Sequence, residues 1–131
     1  GPSENLREAV AIKQTRHTDT GKPIACVLID EAQFLTPAQV DQALEVAIYL
    51  NLPVIAYGLR TDFRTQSFPG SQRLLEVAHT LEEMKTICRC GRKAIFNARL
   101  TDSGKTKEGS QVMIDEGTVR YEAQCAECYL A

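Results

Sequence analysis

Two short apolar runs, each about as long as one strand, limit most strongly what this chain can fold into. The first covers Ile24 to Ile29 and the second covers Val54 to Tyr57. Between them, Thr36-Pro37 is typical of a helix start, because threonine caps the N-terminus and proline fits the first turn. Asn51-Leu52-Pro53 predicts the end of that helix. Two buried strands joined by a helix form a βαβ unit, so we expect a parallel sheet with a right-handed crossover.

Two adjacent carboxylates, Asp30 and Glu31, follow the first apolar run directly. In nucleotide-binding α/β folds, ligands bind at the carboxyl ends of parallel strands. We therefore expect these acids to face bound phosphates and a metal ion. An ordinary strand followed by a polar turn would give the same pattern. Cys26, inside the predicted strand, is expected to be a small core residue.

Other elements alternate along the chain. Apolar residues near helical spacing predict an amphipathic helix over Glu4 to Arg16, and we place four of them on its apolar face: Leu6, Ala9, Val10 and Ile12. Ser71 to His79 is predicted as a helix and Met84 to Ile87 as a third strand. The loop from Gly58 to Gly70 carries two phenylalanines and many polar groups. It is a candidate ligand wall. The alternative is that the two rings only anchor the loop.

Two close cysteine pairs mark the C-terminal part of the chain. Cys88 and Cys90 form a C-x-C pair, and Cys125 and Cys128 form a C-x-x-C pair. Such pairs supply two thiolates each to a tetrahedral zinc ion, and four sulfur ligands close the coordination shell. Zinc would therefore be structural. Disulfides are the alternative, but they are rare inside cells. Between the pairs, we expect a strand over Ala94 to Leu100, a polar hairpin tip over Thr101 to Gly109 and a return strand over Gln111 to Arg120.

Charge and hydropathy exclude several classes of partner. The chain carries 15 Lys and Arg against 17 Asp and Glu, a net charge of -2 that offers no basic surface for nucleic acid. No apolar run approaches the roughly 18 residues of a membrane span, and no signal-peptide pattern opens the chain. We expect a cytoplasmic protein with no membrane or nucleic-acid partner. Residues 1–3 resemble a cloning remnant.

Several motifs in this order resemble those of the zinc-containing thymidine kinases, and the match is closest to the bacterial branch. The motifs are Val27-Leu28-Ile29-Asp30-Glu31-Ala32-Gln33-Phe34, Tyr57-Gly58-Leu59-Arg60-Thr61-Asp62-Phe63 with Phe68, Thr86-Ile87-Cys88-Arg89-Cys90-Gly91-Arg92-Lys93-Ala94, Arg120-Tyr121, and Cys125-x-x-Cys128. The resemblance runs from the first helix to the C-terminus.

The resemblance implies a fold, an activity and partners. The fold would be α/β: residues 4–87 form part of a P-loop (RecA-like) kinase domain with a parallel sheet, and residues 88–131 form a small zinc-ribbon or lasso domain. The activity would be transfer of the ATP γ-phosphate to the 5′-hydroxyl of thymidine or deoxyuridine, in nucleotide salvage for DNA synthesis. Magnesium would accompany ATP, zinc would be structural, and the protein would be a homo-oligomer, a tetramer in this family.

The resemblance also implies residue roles. The carboxylate of Asp30 would be the Walker B acid that helps to hold Mg²⁺, and Glu31 would be the general base that takes the proton from the thymidine 5′-hydroxyl. Cys88, Cys90, Cys125 and Cys128 would bind zinc. The thymidine would be bound by Phe34, Leu59, Phe63, Phe68, Val112, Met113, Ile114 and Tyr121.

Two departures from the family pattern bear on these expectations. The glycine-rich motif G-x-x-x-x-G-K-[ST] has no match; Thr20-Gly21-Lys22 lacks the partner glycine and the following hydroxyl residue. We therefore expect a fragment that lacks the first strand, the P-loop and most of the ATP site, and that is inactive alone. The family shows two glycines after its lasso valine-isoleucine stretch, whereas Asp115-Glu116-Gly117 stands here, which puts the sugar contacts in doubt.

Two other classes of protein remain as alternatives. P-loop helicases and related motor ATPases also place Asp-Glu-Ala after a buried strand, with the glutamate activating water. The phenylalanine loop and the cysteine pairs argue against them. The second alternative is a zinc-ribbon interaction module, without catalytic activity, joined to a degenerate nucleotide-binding fold.

Overall fold

The computed structural model describes residues 3–19, 21–111 and 119–131. It contains an α/β arrangement with both parallel and antiparallel sheets, which confirms the coarse fold class predicted from the sequence. The chain divides into two compact units. The first unit comprises residues 1–60 and 69–81, and the second comprises 61–68 and 82–131. The predicted boundary lay between residues 87 and 88. In the observed division, the loop 61–68 belongs with the C-terminal unit.

The first unit is built on a βαβ core. Helix α1 spans Leu6–Asp19, strand β1 Val27–Ile29, helix α2 Pro37–Tyr49, strand β2 Val54–Ala56 and helix α3 Pro69–Val77. A short 3-10 helix, Ala32–Phe34, follows β1. β1 and β2 pair in parallel, with Val27 opposite Val54 and Ile29 opposite Ala56. The predicted parallel pair with its helical crossover is therefore confirmed.

Local signals explain where α2 begins and ends. The Thr36 hydroxyl accepts a hydrogen bond from the Gln39 backbone N–H (3.1 Å), and the Gln39 side chain accepts one from the Thr36 N–H (3.1 Å). This capping box satisfies two N–H groups that have no partner within a helix. The helix stops before Asn51, whose φ of 52° is a left-handed conformation that asparagine tolerates.

The apolar core of the first unit lies on one face of the parallel pair. Strand and helix side chains share a small apolar cavity that is lined by Leu6, Val10, Val27, Ile29, Ala43, Val46 and Val54. α1 and α2 therefore pack on the face that Val27 and Ile29 present. The opposite face is open: Leu28 is 63% exposed and Ile55 is 46% exposed. The prediction of two fully buried strands was wrong, because both helices cover the same face.

Three further expectations for the first unit need correction. Cys26 is exposed and precedes β1, so it is not a core residue. Ile12, placed on the apolar face of α1, is 56% exposed. α3 begins at Pro69, two residues before the predicted start, because proline fits a first helical turn.

No helix in the described ranges is long and apolar enough to cross a membrane.

The second unit is built from short antiparallel strands. β3, Thr86–Ile87, pairs with β4, Lys93–Ala94. β5, Phe96–Thr101, lies between β6, Gly104–Thr106, and β7, Arg120–Gln124, in a three-stranded sheet. Helix α4, Ala126–Leu130, follows β7. The predicted third strand is shorter than Met84 to Ile87, and the residues predicted as a hairpin tip include β6.

Candidate functional site

The predicted general base, Glu31, and the predicted magnesium ligand, Asp30, lie directly after β1, in the first unit. Hydrogen bonds between the strands bring this end of β1 against β2: the Tyr57 N–H donates to the Ile29 carbonyl (2.8 Å). Glu31 adopts φ 52° and ψ 41°, a left-handed conformation that is uncommon for a residue other than glycine. The Asp30 carboxylate accepts a hydrogen bond from the Glu31 N–H (2.9 Å). Both acids are exposed, as a metal or substrate site at a strand end requires.

A buried amide, Gln33, holds the Glu31 side chain. Gln33 is 2% exposed. Its Nε2 donates to the Glu31 carboxylate oxygen Oε2, and its Oε1 accepts from the Leu59 backbone N–H (3.2 Å). One amide therefore orients the predicted base and fixes the start of the loop after β2. Nothing in the sequence marks Gln33 for this role, because its two partners come together only when β1 and β2 pair.

Two of the predicted nucleoside contacts, Phe34 and Leu59, also belong to the first unit. Their side chains are 53% and 43% exposed. The Leu59 backbone is held on both sides, because its carbonyl accepts a hydrogen bond from the Ser71 hydroxyl in addition to the bond from its N–H to Gln33. Apolar side chains that are exposed on a well-fixed backbone are a common feature of binding surfaces.

The loop Thr61–Phe68, in the second unit, is organised by a buried carboxylate. Asp62 is 2% exposed, and its Oδ1 accepts hydrogen bonds from the backbone N–H groups of Arg64 (2.8 Å) and Gln66 (3.0 Å). The loop presents Phe63 and Phe68, which are 2% and 5% exposed. Their burial fits an anchoring role, and the nucleoside contact stays a prediction. An aspartate whose side chain binds the backbone two residues further on is a common turn signal, so this role of Asp62 could have been predicted from the sequence.

Tyr129 ties α4 to this loop. Its phenol donates a hydrogen bond to the Phe63 carbonyl, and the centre of its ring lies 5.1 Å from the centre of the Phe96 ring. Burial, together with the negative charge of Asp62, raises the pKa of Tyr129 above its usual value. The phenol therefore stays protonated and remains a donor.

Tyr121, predicted to lie near the base, is in β7 and is 41% exposed. Its hydroxyl accepts a hydrogen bond from Nε of Arg99 (3.0 Å), and the Arg99 guanidinium lies 3.5 Å from the centre of the Phe63 ring. The second unit thus brings two predicted nucleoside contacts to one arginine. The predicted contacts Val112, Met113 and Ile114, and the segment Asp115-Glu116-Gly117, lie outside the described residues.

The four predicted zinc ligands converge in the second unit. Cys88, Cys90, Cys125 and Cys128 place their Sγ atoms within 4.8 Å of one another. Zn–S bonds of about 2.3 Å in a tetrahedron separate sulfurs by about 3.8 Å. The observed distance from Cys90 Sγ to Cys125 Sγ is 3.6 Å. The cluster is therefore compatible with structural zinc.

Tight turns shape both halves of this cluster. In the first, the Gly91 N–H donates to the Cys88 carbonyl (2.8 Å), and Gly91 has φ 93°, a conformation that favours glycine. In the second, Cys125 caps α4: its sulfur accepts from the Cys128 N–H (3.5 Å). The Lys105 ammonium donates to the Cys128 carbonyl (2.6 Å) at the other end of α4.

The electrostatics of the cluster favour a thiolate at Cys88 and oppose one at Cys128. Backbone hydrogen bonds from Cys90 and Cys125 lower the pKa of Cys88 to about 6. Hydrogen bonds with the neighbouring sulfurs, first that of Cys125, raise the pKa of Cys128 to about 12. A divalent cation would reverse this opposition, because it stabilises all four thiolates together.

Comparison with known proteins gives a consistent result. The family model described as thymidine kinase matches residues 3–129. A thymidine kinase of Chromobacterium violaceum is 53% identical over 106 residues, which cover 80% of this chain and 57% of that protein. One from Legionella pneumophila (strain Paris) is 57% identical over 102 residues, covering 77% of this chain and 48% of the relative. One from Rhodopirellula baltica is 53% identical over 124 residues, which cover 94% of this chain and 56% of that protein.

The match extends over both units and includes the acid pair, the phenylalanine loop and the cysteine cluster. The chain spans about half the length of the curated relatives it matches. These findings show that the chain belongs to the thymidine kinase family.

Proposed function

We propose that the chain carries the nucleoside-binding part and the catalytic base of a zinc-containing thymidine kinase. The whole protein would transfer the γ-phosphate of ATP to the 5′-hydroxyl of thymidine or deoxyuridine. The observation that carries the proposal is the family match over residues 3–129, combined with an acid pair at the carboxyl end of a parallel strand. Helicase-like ATPases and zinc-ribbon modules share parts of this pattern, but neither combines it with a thymidine kinase match.

Glu31 is the proposed general base. A carboxylate can accept the proton of the 5′-hydroxyl as the oxygen attacks phosphorus, and such a base contributes about 10²- to 10⁴-fold to the rate. The hydrogen bond from Gln33 to one carboxylate oxygen supports this role, because it limits the rotation of the side chain. An oriented base keeps its reacting oxygen near the hydroxyl.

Asp30 is the proposed magnesium ligand. Its exposed carboxylate follows β1, and carboxylate oxygen is the ligand type that Mg²⁺ prefers. When bound, the metal would neutralise charge on the phosphates. Asp30 also accepts the Glu31 N–H, so the same side chain stabilises the left-handed turn that presents the base.

Nucleoside contacts are proposed in each unit by itself. In the first unit they are Phe34 and Leu59, and in the second unit they are Phe63, Phe68 and Tyr121. The backbone of residues 112–114 is proposed to bind the thymine edge. Aromatic side chains supply flat apolar surface for a base, whereas backbone groups supply hydrogen-bonding specificity.

Zinc is proposed to be structural, with all four cysteines as ligands. The convergence of the four sulfurs and the capped turns that present them support this proposal. A closed tetrahedral shell leaves no position for substrate.

We also propose the RecA-like P-loop architecture, the division into residues 4–87 and 88–131, a tetrameric protein and a role in cytoplasmic nucleotide salvage. Light scattering of the purified protein tests the tetramer.

The role of Glu31 is tested with Glu31→Gln in a protein that contains this chain and has the length of the curated relatives. We expect kcat for thymidine phosphorylation to fall by about 10²-fold or more, because the amide cannot accept the proton. The KM for thymidine should change little. Glu82→Gln, an exposed carboxylate outside the proposed site, is the matched control. A Glu31→Gln enzyme with unchanged kcat would rule out the assignment. ATP hydrolysis that does not depend on thymidine would instead favour a motor ATPase.

A further inference from the structure

Arg99 is a buried charged residue in β5, at the centre of the three-stranded sheet. It is 1% exposed and is the largest of the fully buried side chains. Burial of a charge is costly unless its hydrogen-bonding groups are satisfied. The contacts that satisfy the buried Arg99 guanidinium therefore indicate the role of this residue.

The guanidinium donates hydrogen bonds to three groups. Nε donates to the Tyr121 hydroxyl (3.0 Å), one terminal nitrogen donates to the Glu108 carbonyl (3.3 Å), and the other donates to the Ser110 carbonyl (2.8 Å). Its face lies 3.5 Å from the centre of the Phe63 ring, a distance typical of cation–π stacking. One side chain thus joins the loop Thr61–Phe68, the chain after β6 and the side chain of a β7 residue.

The stability of the fold alone does not explain why position 99 is an arginine. An apolar side chain of similar volume often stabilises a core as well as, or better than, a buried ion does. The planar guanidinium offers something that neither an apolar residue nor lysine offers: several donors in fixed directions and a flat face for stacking. The arrangement uses all of these features at once. The terminal nitrogens bind two backbone carbonyls after β6, whereas Nε and the flat face act on Tyr121 and Phe63.

We propose that Arg99 is a positioning residue for the nucleoside site. It holds the Tyr121 hydroxyl in place and fixes the Phe63 ring from one side, so that both side chains are ordered before the nucleoside binds. This inference rests on the proposed function, which assigns Tyr121 and Phe63 to nucleoside binding. Ordering a side chain in advance strengthens binding, because its rotamer freedom is not lost at the binding step.

The test compares three variants of the zinc-loaded chain by calorimetric titration with thymidine. Arg99→Lys keeps the charge but loses the planar fork, Arg99→Met removes both, and Arg120→Met makes the same change at an exposed position of β7. We expect the Kd of thymidine to be about tenfold higher or more for Arg99→Lys, because the Tyr121 and Phe63 side chains must then be ordered at the binding step. Arg120→Met should bind as the unchanged chain does. Arg99→Lys with affinity within about twofold of the unchanged chain would overturn the proposal.

A second measurement separates positioning from folding. In nuclear magnetic resonance spectra of the unchanged chain, we expect the Arg99 Nε–H to exchange slowly and to be shifted by the Phe63 ring. In Arg99→Lys, the Tyr121 ring signals should move, whereas full zinc content and well-dispersed signals from the rest of the chain show that the chain stays folded. Tyr121 signals that do not depend on residue 99 would overturn the positioning role.

The two measurements also distinguish this inference from the proposed function. An unchanged chain that binds no thymidine contradicts the proposed function, and the Tyr121 signals then decide whether Arg99 orders that ring. An unchanged chain that binds thymidine, combined with an Arg99→Lys chain that binds equally well, contradicts the positioning role and leaves the proposed function supported.

Discussion

Replacing Asp62 with alanine should strongly destabilise the second unit. The Asp62 carboxylate is buried, and its Oδ1 accepts two backbone N–H groups, those of Arg64 (2.8 Å) and Gln66 (3.0 Å). Its Oδ2 accepts the Gln111 side-chain amide (3.1 Å). Alanine at this position would leave these donors without their acceptor and loosen the loop that carries Phe63.

The size of the effect follows from these contacts. A hydrogen bond to a charged group contributes about 1.5–3 kcal/mol, so loss of the two backbone bonds should cost roughly 3–6 kcal/mol. Asp62→Asn keeps an oxygen that can accept the backbone groups but loses the charge, and should cost roughly half as much. The ion pair between Asp62 and Arg64 is long, at 3.7 Å, and the arginine is 42% exposed, so it adds little.

The assay is urea unfolding of the zinc-loaded chain, followed by circular dichroism and by tyrosine fluorescence. Arg64→Met is the control, because it removes only contacts of a partly exposed side chain. These are the long ion pair with Asp62 and a cation–π contact with the Phe63 ring (5.3 Å), and their loss should cost about 1 kcal/mol or less. We expect the unfolding free energy to decrease from the unchanged chain to Asp62→Asn and then to Asp62→Ala. An Asp62→Ala chain within about 0.5 kcal/mol of the unchanged chain would refute the reasoning.

Two other predictions concern the metal cluster and the packing of α3. Zinc affinity should fall as pH decreases from 7.5 to 5.5: at pH 7.5 zinc must displace the proton that Cys128 holds with its raised pKa, and below about 6 Cys88 also becomes protonated. Competition with a chelator at both pH values measures this, and equal affinities would contradict it. Gly70→Ala should lower the melting temperature, because the new Cβ would lie 2.3 Å from the Leu35 carbonyl oxygen. Overpacking costs about 1–3 kcal/mol, which outweighs the gain in helix propensity of about 1 kcal/mol. An unchanged melting temperature would contradict this prediction, because it would mean that the backbone near Leu35 moves aside at little cost.

The elements with local signals were predictable from the sequence. The capping box of Thr36 and Gln39 depends on only four consecutive positions, and the apolar runs on either side of this helix predict β1 and β2. The cysteine cluster was predictable for a related reason. Each pair closes within a tight turn of its own, so spacing alone indicates that both sulfurs point to one place.

Features that depend on distant contacts were not predictable. An apolar run does not reveal which face a helix will cover, so the exposure of Leu28 and Ile55 was missed. Arg99 was missed because strand periodicity places a charged residue toward solvent. Its acceptor Tyr121 and its stacking partner Phe63 lie 22 and 36 residues away in the sequence. Gln33 was missed because its partners, Glu31 and Leu59, meet only when β1 and β2 pair.

The most direct test of the account is titration of the zinc-loaded chain with thymidine. The proposed nucleoside contacts all belong to this chain, so we predict saturable binding of about one thymidine per chain, with adenosine failing to compete. Glu31→Gln should bind thymidine as the unchanged chain does, because the base acts on the proton and contributes little to ground-state binding. A folded, zinc-loaded chain that shows no saturable binding of thymidine would contradict the proposal that this chain holds the nucleoside contacts.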